Sequence, residues 1–132
     1  VRLEFFRASA NEDLRTSYFE YVMSLEPENT IMCYQGADHT LVAGESYNPY
    51  TKLSKFLEGK QLIEKSIANE PDNAELRYIR FLIQTKAPSF LNYNENIAQD
   101  YNHIIKSNSQ EIWMNHFQEF IDANPDLIPN NG

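Results

Sequence analysis

The chain has 132 residues, 42% of them hydrophobic and 13% aromatic, enough apolar mass for a packed core without disulfides or metals. That balance excludes intrinsic disorder. A net charge of −8 argues against nucleic acid or an anionic membrane surface as partner. Leu3, Phe5 and Phe6 make a lead-in over residues 1–9, a short turn or strand-like segment. Ser9 and Glu12 have capping-box spacing, and Leu14, Tyr18, Tyr21, Val22 and Leu25 continue one apolar face, which predicts a helix from Ala10 to Leu25.

Glu26-Pro27-Glu28-Asn29-Thr30 punctuates the chain before a second helix, with Ile31, Met32, Tyr34, Ala37, Leu41 and Val42 on its inward side. Gly36 within it either weakens the helix, by about 1 kcal/mol against alanine, or permits close approach of a neighbour. Gly44 is a C-terminal stop, and Asn48-Pro49 marks a turn within a loop over Glu45–Tyr50.

The central stretch, Leu53–Lys86, is the clearest in the chain. Leu53, Phe56, Leu57, Leu62, Ile63 and Ile67 recur at helical steps, and Pro71 ends that helix near Asn69 or Glu70. Asp72 caps the next helix, with Glu75 completing the box and Leu76, Ile79, Leu82 and Ile83 on one side. Two helices joined so tightly read as an αα-hairpin. Ala87-Pro88-Ser89 closes it and Phe90–Asn94 is a short aromatic loop. Asn92 or Asn94 then caps a helix with Ile97, Tyr101, Ile104 and Ile105 inward. Ser107-Asn108-Ser109 breaks that helix, and Ser109 caps a last one carrying Ile112, Trp113, Phe117, Phe120 and Ile121. A polar tail occupies residues 124–132.

The expectation is one all-α domain: about six helices as antiparallel pairs, an array over residues 10–123. Pro27, Pro71 and Pro125 recur 44 and 54 residues apart, each after an amphipathic helix and before an acidic residue. Periods of that order mark stacked helical pairs. Charge is segregated. Residues 52–86 carry +2, between a −5 stretch on either side.

Ala68-Asn69-Glu70-Pro71-Asp72-Asn73-Ala74-Glu75-Leu76-Arg77-Tyr78 resembles the junction between tetratricopeptide repeats, in which an alanine-bearing helix ends at a proline and an Asn-Ala-Glu segment opens the next repeat. The likeness spans about twenty residues. The proline spacing exceeds the usual ~34 residues, and the tryptophan–leucine–glycine signature is missing, so the resemblance implies an irregular stack. From Tyr34 to Asp100, Asn48-Pro49-Tyr50-Thr51-Lys52-Leu53, Glu75-Leu76-Arg77-Tyr78-Ile79-Arg80-Phe81 and Ala87-Pro88-Ser89-Phe90-Leu91 are similar to an uncharacterised bacterial family of small helical proteins. That family usually carries an export signal, which implies an exported or periplasmic protein. Val1 at the start fits removal of such a signal or of any other upstream segment.

Chemical motifs are few. Cys33 stands alone, which excludes an internal disulfide and a cysteine-based zinc site. No apolar run approaches the ~18–20 residues of a membrane helix. No Gly-x-Ser-x-Gly elbow or phosphate-cradling glycine loop is present, and Cys33 and His39 do not share a helical face. His39, Asp100 and His103, with His116, are candidates for a metal or small-molecule site in an alternative, possibly hydrolytic, reading. Repeated Glu-x-x-His pairs of a di-iron bundle do not occur, so no metal or cofactor is expected.

Arg77 and Arg80 lie one turn apart between aromatic neighbours. They are expected either to pair internally with Glu75, Glu64 or Glu58, or to bind an anion or peptide acid. Tyr47, Tyr50, Phe90 and Tyr93 in two loops either rim a binding face with those arginines or plug the ends of the stack. The expected function is a non-enzymatic scaffold that binds a protein or peptide segment. A purely structural subunit is the further alternative.

Overall fold

A computed structural model describes residues 28–129 of the chain. Among the described residues the protein is all-helical, with five α-helices, two 3₁₀ turns and no strand. The α-helices are α1 (Asn29–Ala43), α2 (Pro49–Asn69), α3 (Ala74–Lys86), α4 (Ile97–Ser107) and α5 (Ile112–Ala123). The helix expected over Ala10–Leu25, and Pro27, lie outside the described residues. The chain divides between Pro71 and Asp72 into two compact units, so the central turn marks a unit boundary.

Helix starts differ from the expected ones, and at α2 and α3 the side chain that reaches a free amide decides the cap. Asn48-Pro49 is no loop turn but the start of α2. Asn48 Oδ1 accepts from the Tyr50 amide at 2.9 Å, and Pro49 occupies the first helical position, where its missing amide costs nothing. Asn73, not Asp72, caps α3 by accepting from the Glu75 amide at 3.0 Å. Helix α4 begins after Asn96, beyond Asn92 and Asn94. Asn92 instead takes a left-handed conformation (φ 55°) that ends the 3₁₀ turn Ser89–Leu91. Ser109 receives the Glu111 amide one turn ahead of α5, whose N-cap is Glu111. Asn108, also left-handed (φ 49°), ends α4 where the break was expected.

In the first unit α1 and α2 meet backbone to backbone. A methyl group at Gly36 would stand 2.6 Å from the Gly59 carbonyl oxygen, and one at Gly59 would run into the Gly36 carbonyl oxygen. Of the two readings of Gly36, close approach is therefore the operative one. Asn29 Nδ2 donates to the Ser66 carbonyl at 2.8 Å and Asn29 Oδ1 accepts from Asn69 Nδ2 at 3.1 Å, tying the start of α1 to the end of α2.

Buried positions of α2 are Phe56, Gly59, Ile63, Ser66 and Ile67. Leu53 and Leu57, expected inward, are half exposed. The run of helical steps in the sequence merges two apolar faces of one helix.

The second unit is organised around α3, which is buried without interruption from Glu75 to Gln84. Its apolar side meets an aromatic layer. Tyr78 stacks on Trp113 (centroids 5.4 Å apart), and Phe81 meets Phe117 edge-on at 5.6 Å and Phe120 at 6.4 Å. Tyr101 of α4 closes the layer at 5.8 Å from Phe117. Such pairs add about 0.5–1.5 kcal/mol each beyond their buried area. Ile105 and Ile112, expected inward, are 43% and 63% exposed.

Candidate functional site: a buried arginine–aspartate cluster and an exposed helix face

A helix buried all round must satisfy its polar side chains from within. Arg77, Arg80 and Gln84 follow one another at i, i+3 and i+7 on α3, and all three converge on Asp100 of α4, which has no exposed surface. Arg80 grips the carboxylate with two atoms, Nε to Oδ2 and Nη2 to Oδ1, both at 2.7 Å. Arg77 Nη1 donates to Oδ1 at 3.2 Å and Gln84 Nε2 to Oδ2 at 3.0 Å. Gln84 Oε1 then accepts from the Asn96 amide at 2.9 Å, at the start of α4. Two-point guanidinium–carboxylate bonding with extra donors is the arrangement that repays desolvation of buried charge.

Among the described residues the acid bonded to both arginines is thus Asp100. This placement also bears on the metal alternative. Asp100 spends its oxygens on three side chains, and His103 Nε2 lies 3.2 Å from the Asp72 carbonyl oxygen. Among the described residues no group of three His, Cys, Asp or Glu could hold a metal ion. His39 belongs to the first unit, its Nδ1 3.9 Å from Glu58 Oε2. Burial lowers the His39 pKa, with Glu58 acting in the opposite direction and Lys55 in the same one.

The four candidate aromatic residues part company. Tyr93 is buried at 4% exposure and serves the core of the second unit, while Phe90 beside it is 78% exposed. In the first unit Tyr47 and Tyr50 are 100% and 86% exposed. With Leu57 at 50% and Leu53 at 46%, Tyr50 forms an apolar face on the first half of α2, because the three recur at i, i+3 and i+7, whereas Tyr47 precedes the helix. No family model matches the chain. No curated protein and no solved structure matches it significantly either.

Sequence reasoning missed one residue of chemical interest. Asp38 on α1 is 1% exposed, and among the described residues neither of its carboxyl oxygens has a hydrogen-bond partner. Burial pushes its pKa from 3.8 up to about 8, so at neutral pH it is a protonated acid. The signal was present, since Asp38 lies one turn from both Tyr34 and Leu41 on a face expected inward. Among the described residues no helix is long and apolar enough to cross a membrane.

Proposed function

We propose that the protein is a non-enzymatic helical scaffold, an irregular tetratricopeptide-like stack of antiparallel pairs, that binds a protein or peptide segment. One observation carries the reading: large apolar side chains stand in water on α2, a helix whose opposite side is already well packed. Exposed apolar groups gathered on one helix face mark interaction surfaces more often than isolated ones do. The internal commitment of Arg77, Arg80 and Asp100 supports it indirectly. The charged groups most able to do chemistry are spent on holding α3 to α4.

The test is selection of a displayed random-peptide library on the immobilised full chain, followed by calorimetry of the enriched sequences in solution. Saturable binding with a defined stoichiometry is the expected result. Repeated selection that enriches nothing above background sinks the reading and favours a purely structural subunit.

A further inference from the structure

We propose that two copies of the chain associate through α2, antiparallel, with Leu53 of each copy set against Leu57 of the other. This rests on the proposed binding role of α2 and names what occupies its exposed face when the chain is alone.

The seam is one stripe of the helix. Tyr50, Leu53, Leu57, Lys60 and Glu64 follow one another at steps of three and four residues, the spacing of a two-helix seam. At about 100° per residue they fall within about 80° of arc. Tyr50, Leu53 and Leu57 stand in water, and the partly exposed Lys60 and Glu64 continue the stripe. The centre is free of charge, because Lys52, Lys55 and Glu58 each lie more than about 100° around the helix from its midline.

What selects a second copy is that the stripe complements itself in one direction only. Set parallel, two copies would put Lys60 against Lys60 and Glu64 against Glu64, like charges across one seam. Turned antiparallel about a two-fold axis level with Lys55, each copy lays Leu53 on the other's Leu57. Tyr50 then lies beside the other copy's Lys60, an ammonium against an aromatic ring. The same axis brings Glu64 level with a point just ahead of the second copy's α2, which begins at Pro49. Side chains on a helix lean toward its N-terminus, so this carboxylate leans back toward that helix start. The first turn there holds no acid of its own, and a carboxylate is favoured at the positive end of a helix dipole. Every contact is made twice, and the two-fold axis closes the assembly at two copies.

Size sets the strength. Tyr50 offers at most about 150–250 Å² and the two leucines are half covered, so the apolar centre is well short of the ~800 Å² per partner of a standard interface. The dimer is therefore weak and concentration-dependent.

The test is sedimentation equilibrium of the full chain from about 10 µM to about 1 mM, where a monomer–dimer equilibrium with Kd on the order of 100 µM is expected. Leu53→Ala with Leu57→Ala should weaken it at least about tenfold, and Glu64→Gln by about threefold. A second measurement reads the register without relying on alanine variants. Leu53→Cys and Leu57→Cys chains, mixed and treated with a short bis-maleimide, should link to each other in preference to themselves. Cys33, at 0% exposure, does not compete.

A chain still monomeric at about 1 mM, a dimer indifferent to the double alanine variant, or cysteine variants that link to themselves in preference to each other would each overturn the proposal. Library selection judges the peptide-binding reading separately. Binders enriched on a chain that stays monomeric remove the dimer and leave that reading standing. A dimer with the mixed cross-link, on which selection enriches nothing, does the reverse.

Discussion

Replacing Asp38 by asparagine removes the ability to ionise while keeping the shape, and the structure sets the expected consequence. The folded chain holds Asp38 protonated up to about pH 8, whereas the unfolded chain ionises it from about pH 4. Between those values the folded state binds the extra proton, so stability falls as pH rises. The slope approaches 1.4 kcal/mol per pH unit, which gives about 2–3 kcal/mol between pH 5 and pH 7. That is a large share of the ~5–15 kcal/mol that keeps a domain folded. His39, with its pKa lowered by burial, adds a contribution of opposite sign below about pH 6.5, the side on which the unfolded chain protonates first. It is common to both proteins and cancels in the comparison. Urea unfolding followed by far-ultraviolet circular dichroism at pH 5, 6 and 7 measures both slopes. The wild type should lose stability relative to Asp38→Asn as pH rises. Parallel slopes would show that Asp38 is solvated or partnered, and would refute the reasoning.

Three further changes probe the packing. Gly59→Ala gains helix propensity of about 1 kcal/mol but drives a methyl into the Gly36 carbonyl oxygen, and the expected net result is a loss of about 1–3 kcal/mol; a rise in melting temperature would contradict the backbone contact. Asp100→Ala removes the buried carboxylate that both arginines grip and should cost about 3–5 kcal/mol. Asp126→Ala, at an exposed position, should stay within about 0.5 kcal/mol, and equal effects of the two in chemical denaturation would dismiss the cluster as a stabilising unit. Asn48→Ala should cost about 1 kcal/mol and Asn48→Ser much less, since serine still accepts from the amides of the first turn. Faster hydrogen exchange at Tyr50 and Thr51 in the alanine variant is the local readout.

Helix existence was legible in the sequence because apolar periodicity and Pro or Asn punctuation are local properties. Pro71 does end α2 near Asn69, and Ser107-Asn108-Ser109 does separate α4 from α5. Caps were less legible, since Asp72 and Asn73 are chemically equivalent candidates and only backbone geometry chooses between them. Leu53 and Leu57 read as core because spacing identifies an apolar position without saying whether a neighbour covers it. Half of the arginine cluster was visible as a pair one turn apart. Asp100 was hidden behind a different pattern, its spacing to His103, although Ile97 and Ile104 flank it on the inward stripe of α4. What decides its role is contact between helices, which no single-helix pattern encodes.

The bonds to Asp100 join residues 16, 20 and 23 apart in sequence, so the cluster closes within the α3–α4 segment alone. Loop closure at that length costs only slightly more than a hairpin, because each doubling adds about 0.6 kcal/mol. Opposite charges also attract before water has been expelled. The second unit is thereby expected to start folding from this short-range contact, polar at its centre. Its aromatic layer, which needs α5 to return to Tyr78 and Phe81, is expected to assemble afterwards. Folding-rate measurements should then assign φ-values near one to truncations across the α3–α4 contact and near zero to those in α5. Low values at α3–α4 would reverse the order. On that outcome charge pairing would set when the helices meet as well as how firmly they hold.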